Sequence, residues 1–460
     1  GGSLSVQTDL DFYSINLNAG DTVYLSLDLD PERDATTWNG RLGFGIFNNS
    51  ILVATDGSVT SPNSEAFFMT VKEAGTYYIY IDPQVAPAGA ATYTLSASVH
   101  PAAAQGVICT TYASTDAPLV IPDGPGVITS TLTIPGNPRI ADLDVTLDLT
   151  HNFMNDLDVV LIAPGGNAVG LFSDVGTTSV GLNADMSIIL DDEAGLPINT
   201  YTALNGWAAQ PESAYRLSWF DGQDAGGDWK LRLYDDSPTD GGELHGWSLT
   251  VCEPPPQPVC AAGYTPVTVY SSDFESGASG FTSSGALNEW ELGQPTFAPI
   301  TTCNSGSNCW KTDLDNTYDN LSSQDLFSPA IDLSIVSGPI VVSWAQKYSM
   351  ESATFDHALA EVRQVGGATP FILWEWLDTT MNNNVGNPLF NAVESAGWGL
   401  FQRDISAFAG QQIELRYHLD SDNTVALAGY AIDDVTITGC VPTPDLALTL
   451  TAGTDSGACR

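Results

Sequence analysis

Apolar residues recur at every second position through much of this chain: Val23, Leu25, Leu27 and Leu29; Tyr77, Ile79 and Ile81; Val145, Leu147 and Leu149; Val435 and Ile437. Successive side chains of a strand point to opposite faces, so this period buries one face and leaves the other to solvent. Sustained helical periodicity is absent, and 43 Gly and 27 Pro punctuate the alternating runs. The expected fold is all-β, built as sandwiches or jelly rolls. At roughly 150 residues per domain, a chain of 460 has room for about three. Pro-rich joints at Glu253 to Pro258 and Val441 to Pro444, with an Ala-rich stretch from Pro101 to Gly106, divide it into 1–100, 107–252, 260–440 and a tail, 441–460. Proline favours extended backbone, so the joints read as short, semi-rigid spacers. The three regions do not read as copies of one another.

The placement of the seven cysteines adds a frame. Cys109 and Cys252 bracket the second region, Cys260 and Cys440 bracket the third, and Cys303 and Cys309 can close a small loop. Nearest-bracket pairing is one of several that six cysteines allow, and it implies an oxidised, extracellular chain. Cys459 is left over, for an intermolecular bridge, a free thiol, or a partner beyond this chain. No signal peptide and no apolar run near 18 residues is present, and the chain starts at Gly1 without Met. It reads as a processed or excised part of a longer secreted protein.

Charge excludes whole classes of partner. Asp and Glu number 55 against 13 Lys and Arg, a net charge of -42, and Asp outnumbers Glu. Such a polyanion repels phosphate, which sets aside nucleic acid and anionic membrane surfaces, and nothing calls for membrane insertion. Clustered Asp in loops suits calcium, which takes six to eight oxygens at about 2.3–2.6 Å. A solvated or salt-adapted surface is the alternative use of the same acids. His100, His151, His245, His357 and His418 never show the HExxH spacing of a zinc protease, and no GxSxG elbow occurs. No catalytic role is expected.

Three resemblances follow from longer stretches. Asp9 to Asp21 (DLDFYSINLNAGD) with Gly75 to Asp82 (GTYYIYID) resembles the bacterial pre-peptidase C-terminal domain, which implies a β sandwich with Asp9 and Asp11 in its acidic turn as candidate calcium ligands. Asn155 to Gly166 (NDLDVVLIAPGG), Leu190 to Ala194 (LDDEA) and Gly227 to Leu249 resemble the P, or homo-B, domain of proprotein convertases. That likeness implies a non-catalytic jelly roll accompanying a protease, with Asp156, Asp191, Asp192, Asp235 and Asp240 as calcium ligands. Tyr270 to Phe281 (YSSDFESGASGF) and Gly429 to Cys440 (GYAIDDVTITGC) resemble the MAM-like jelly roll beside secreted metallopeptidases of the immune inhibitor A kind. That likeness implies a calcium between the first strand and the last, through Glu275 and Asp434 with Asp273 and Asp433 beside them.

Two features remain. Trp374 and Trp376 flank Glu375, and two rings on one strand face would offer a sugar-stacking platform or pack in a core. The tail Asp445 to Thr451 (DLALTLT) puts Leu446, Leu448 and Leu450 on one face of a strand, which cannot stand alone. It starts a further domain, lies on the edge of the third region, or is donated to a neighbouring copy. The expected function is a structural or adhesive part of a larger secreted protein. A self-assembling filament or sheath subunit, and the accessory region of a peptidase, are the alternatives. Self-association, neighbouring domains and a glycan or cell-surface ligand are the partners these readings require.

Overall fold

A computed structural model describes the chain apart from residues 1, 6–7, 34–37, 47–52, 55–64, 84–90, 103–107, 165–167, 178, 213–215, 255–257, 352, 368, 377–397 and 444–460. Cys459, the Leu446–Leu450 tail and parts of all three joints lie outside the described residues. Among those described, the regular elements are β-strands and single-turn 3-10 helices. The fold is all-β, and each alternating run of the sequence lies in a strand, with Leu29 just past the end of Thr22–Asp28, its apolar members buried.

Five sheets carry the structure, and the largest ignores the Ala-rich joint. Ten strands form it, running from Gly2–Leu4, Ala91–His100, Thr22–Asp28 and Glu65–Val71 directly onto Leu204–Ala209, Asp185–Leu190, Asp142–His151 and Gly242–Glu253. The seam is antiparallel, with Trp207 opposite Val71 and Ala208 opposite Thr70. Side chains reinforce it. The Tyr201 hydroxyl donates to the Phe68 carbonyl at 2.7 Å, Gly195 N–H donates to Thr70 Oγ1 at 2.9 Å, and Lys72 Nζ donates to Ser187 Oγ at 2.9 Å. A four-stranded sheet, Asp11–Leu17, Gly75–Pro83, Gly40–Ile46 and Val53–Ala54, accompanies the first part. Another, Gly126–Ile134, Gly227–Asp235, Leu157–Ile162 and Ala168–Ser173, accompanies the second. Two six-stranded sheets make the third, one centred on Gly429–Pro442 and the other on Gln412–Asp420.

A second seam joins the second and third regions. Leu400 N–H donates to the Gly222 carbonyl at 2.7 Å, and Arg403 Nη2 lies 3.3 Å from Asp221 Oδ2. Trp219 packs edge-on to Tyr348 at 5.8 Å and against Trp376 at 5.2 Å between ring centroids. Buried apolar side chains from Leu4 to Ile437 form one continuous cluster, so the regions share a core instead of hanging on spacers.

The three bracketed cysteine pairs are disulfides: Cys109–Cys252, Cys260–Cys440 and Cys303–Cys309. Cys252 sits opposite Cys109 on adjacent strands. Cys260–Cys440 closes a separation of 180 residues, which on chain-entropy grounds constrains the unfolded state by about 5 kcal/mol.

Gly222 is the tightest point of the second seam. Its φ is +77°, and a Cβ there would lie 2.9 Å from Leu400 N and O. Gly222→Ala is expected to cost about 1–3 kcal/mol through strain and steric overlap. Urea unfolding monitored by tryptophan fluorescence, with Gly246→Ala as the control because nothing lies within 4 Å of its Cβ position, measures the difference.

Candidate functional site

The acids fall into separate groups, each placed by strand geometry. The one-turn helix Met154–Asp156 delivers Asp156 beside the end of strand Gly227–Asp235, where Leu157 pairs with Asp235. Asp235 is fully buried; its Oδ2 lies 3.2 Å from His151 Nε2 and its Oδ1 accepts the Ser237 N–H at 3.1 Å. Asp156 is only 6% exposed, and its Oδ2 has no hydrogen-bond partner. Burial, with Asp235 nearby, pushes the Asp156 carboxyl up to about 6. Asp240 adds to that field from the rim. These three expected ligands are brought to one place.

Asp191 and Asp192 lie elsewhere. Asp192 accepts the N–H groups of Leu217 at 3.0 Å and Ser218 at 2.8 Å, fixing the one-turn helix Leu217–Phe220 that carries Trp219 to the second seam. Asp191 accepts the Glu193 N–H at 2.7 Å and faces Asp142 and Asp144. Burial first, then neighbouring acids, raises Asp142 to about 6 and Asp144 to about 8, and Asp144 Oδ1 is buried without a partner. Sequence reasoning missed Asp142 and Asp144. Their i, i+2 spacing on an alternating strand was the available signal, since it puts both on the face opposite Leu143 and Val145.

In the third region three carboxylates grip the loop closed by Cys303–Cys309. Glu275 Oε1 accepts the N–H groups of Ser307 at 2.8 Å and Asn308 at 2.7 Å. Asp433 Oδ2 accepts Ser305 N–H at 3.0 Å, while Asp434 accepts Asn304 Nδ2 at 2.7 Å and Ser305 Oγ at 2.8 Å. Asp433 is fully buried, and burial lifts its carboxyl to about 7. The turn after the first strand and the last strand therefore meet on one loop. Asp273 does not join: it is exposed and turns back to accept the Glu275 N–H at 3.2 Å.

A further group had no precursor in the sequence reading. One ligand atom from each of Glu351, Asp356 and Asp422 lies within 4.8 Å of the others. Asp356 is fully buried and accepts the Tyr318 hydroxyl and, at 2.9 Å, the Asp422 N–H; Glu351 Oε2 is buried without a partner. Among the described residues no other trio of His, Cys, Asp and Glu is this tight. Elsewhere in the third region, the fully buried Lys311 places its Nζ among the carbonyls of Thr312 at 3.0 Å, Asn316 at 3.3 Å and Asp313. Burial lowers it to about 8 against the pull of Asp313 and Glu291.

One expectation is corrected and one alternative is decided. Asp9 and Asp11 do not converge: Asp9 Oδ2 accepts the Ser5 N–H and hydroxyl at 2.9 and 3.0 Å, whereas Asp11 accepts the Tyr93 hydroxyl. Asp9 precedes the strand Asp11–Leu17, so the assumed shared strand face does not extend to it. Trp374 and Trp376 are not a sugar platform. They are 9% and 1% exposed and pack on Tyr348, with Trp374 also against Tyr430 and Trp376 against Trp219.

Comparison with known proteins bears on the second region. Residues 140–251 match the Proprotein convertase P-domain. Bacillopeptidase F of Bacillus subtilis (strain 168) is 29% identical over 168 residues, which is 36% of this chain and 10% of that protein. The chain thus spans about a tenth of that relative. Among solved structures, the K1 cleaved adhesin domain of Lys-gingipain from Porphyromonas gingivalis W83 covers 38% of this chain and 97% of its own at 17% identity and a TM-score of 0.27. The N-terminal CBM22-1-CBM22-2 tandem domain of Paenibacillus barcinonensis Xyn10C covers 71% and 94% at 12% identity and a TM-score of 0.23. Neither structural likeness is close enough to carry an argument. No helix among the described residues is long and apolar enough to cross a membrane, which leaves β-barrels unaddressed.

The buried acids set a pH dependence. Asp142 and Asp156 rise to about 6, Asp433 to about 7, and Asp144 and the Arg403-paired Asp221 to about 8, each chiefly through burial, from an ordinary 3.8. Between about pH 4 and 8 the folded chain holds protons that the unfolded chain has released, so stability falls as pH rises. In chelator, the melting temperature is expected to be lower at pH 8 than at pH 5, and Asp144→Asn should flatten the slope. A profile that climbs from pH 5 to 8 would contradict the burial of these carboxyls.

Proposed function

We propose that this chain is a non-catalytic, calcium-stabilised extracellular β-domain array, a structural or adhesive part of a larger secreted bacterial protein. The observation that carries the reading is the P-domain match over residues 140–251, a module whose resemblance implies an accompanying, non-catalytic role. In this reading the first region is a pre-peptidase-type sandwich and the third a MAM-like jelly roll. A glycan or cell-surface ligand would be met through surfaces other than Trp374 and Trp376, whose rings are interior.

Calcium fits the chemistry of the acids. Asp156 keeps a buried oxygen without any donor, beside Asp235, and ionising it there is costly unless a cation compensates. Glu275, Asp433 and Asp434 spend part of their oxygen lone pairs on loop N–H groups and retain others for a hard ion. The ion would supply positive charge where 13 basic side chains are too few. Accessory attachment to a peptidase is the second reading, favoured by the match to Bacillopeptidase F.

Differential scanning calorimetry of the whole chain with calcium, with magnesium at equal concentration, and with chelator tests the proposal. Each site saturated a hundredfold above its Kd adds about 2.7 kcal/mol. Calcium should raise the melting temperature, and Asp156→Asn and Asp434→Asn should each remove part of the rise. Identical melting in calcium and chelator would overturn calcium stabilisation and leave these acids to their hydrogen bonds within the chain.

A further inference from the structure

Among the described residues, the first region leaves two strand edges unpaired at one side of its sandwich. Strand Ala91–His100 pairs on one side with Thr22–Asp28 from Thr94 to His100. On its other side Gly2–Leu4 covers only Ala91 to Tyr93, and from Thr94 onward that edge pairs with no described strand. In the facing sheet Asp11–Leu17 is also terminal, paired only with Gly75–Pro83. Beside these two edges, each unpaired among the described residues, opens a slot of about 250 Å³ lined by Tyr13, Ser14, Ile15, Ile79, Leu95 and Ala97. A rung bridges the two edges beside Gly2–Leu4, where the Tyr13 and Tyr93 hydroxyls lie 2.8 Å apart and Tyr93 donates to Asp11.

Proteins usually guard an open strand edge with charge, proline or a bulge. Here Phe12 to Leu17 and Thr94 to Val99 contain no Asp, Glu, Lys, Arg or Pro, in a chain of net charge -42. Apolar surface is left showing at Phe12, 62% exposed, and at Tyr13 and Val99, 38% each. The lack of charge matters, because copies of this chain repel one another everywhere that acids meet.

We infer that the slot receives the segment Asp445 to Thr451 of a second copy of this chain. That segment lies outside the described residues, and its sequence fits the opening in three respects. It is seven residues long, as is the free edge Thr94–His100. Leu446, Leu448 and Leu450 alternate, so one face would fill the slot over Leu95 and Ala97 while backbone groups pair with the open edge. After Asp445 it carries no charge. It follows the closing strand Gly429–Pro442, which belongs to a different sheet from the slot. Donor and acceptor are thus different surfaces of one chain, a heterologous contact that repeats head to tail. This inference does not depend on calcium or on attachment to a peptidase.

The test uses the full chain and two lesions on opposite sides of the contact. Wild-type protein should show concentration-dependent association by sedimentation velocity. Ala97→Arg, which charges the slot, and Leu448→Asp, which charges the tail, should each be monomeric with calorimetric melting close to wild type. Mixed together, they should form a one-to-one dimer, because each retains the half the other has lost. A labelled peptide of residues 444–452 should bind a chain ending at Thr443 and bind its Ala97→Arg version at least tenfold more weakly. Wild type that stays monomeric at about 100 µM, association that survives both substitutions, or a monomer whose own tail resists proteolysis until Ala97→Arg is introduced would each overturn the inference. The peptide experiment decides the case even if Ala97→Arg folds poorly, since failure to bind the chain ending at Thr443 also overturns it.

Discussion

Negative charge without enough positive charge is the constraint to which this structure answers in its described acidic loops. With 55 acids and 13 Lys and Arg, ion pairing cannot satisfy the carboxylates, and among the described residues backbone N–H groups and hydroxyls take much of the load. Asp192 takes two N–H groups from the turn at Leu217, Glu275 takes two from the disulfide loop, and Asp116 takes Thr131 N–H and Ser130 Oγ. Hydrogen bonds to a charged group contribute more than those between neutral partners, on the order of 1.5–3 kcal/mol. The acids are therefore architectural as well as solubilising. They fix the loops that the strands leave without a ladder.

The same economy explains the seams. The extra turn that Asp192 fixes is the one that presents Trp219 to Tyr348 and Trp376, so an acidic loop of the second region determines an aromatic contact with the third. At the other boundary, Trp207 and Val71 extend one sheet across what the composition reads as a spacer. Side-chain contacts between regions would permit sliding, whereas a shared ladder fixes register and direction together. The chain behaves as one β structure with a common core.

Much of the fold was legible because its signals are local. The Val145, Leu147, Leu149 alternation and the cysteine brackets each occupy a single element or a single pairing, and both appear as read. The resemblance singled out Glu275 and Asp434, and the structure shows both holding the Cys303–Cys309 loop by hydrogen bonds, a role that no local pattern announces. Glu351, Asp356 and Asp422 were not legible, because the loop after Ser337–Ser349 meets the loop after Gln412–Asp420 and no spacing announces it. Trp374 and Trp376 stayed open between platform and core for a related reason. Alternation shows that residues share a face but not what covers that face, and here the cover includes Trp219, more than 150 positions earlier in sequence. The seam at Trp207 has the same character: a strand's sequence names its inward side, not the neighbour along its edge.

Lys311 shows the opposite answer to the shortage of positive charge. Its ammonium stands among three backbone carbonyls in the way a dissolved cation would, but it is attached to the chain by four methylenes. A tethered cation has no off-rate and is indifferent to dilution, chelation or competition in the surrounding medium. The strand Cys309–Thr312, which runs from the small disulfide to this lysine, is thereby pinned by two devices that the ionic composition of the environment cannot reach.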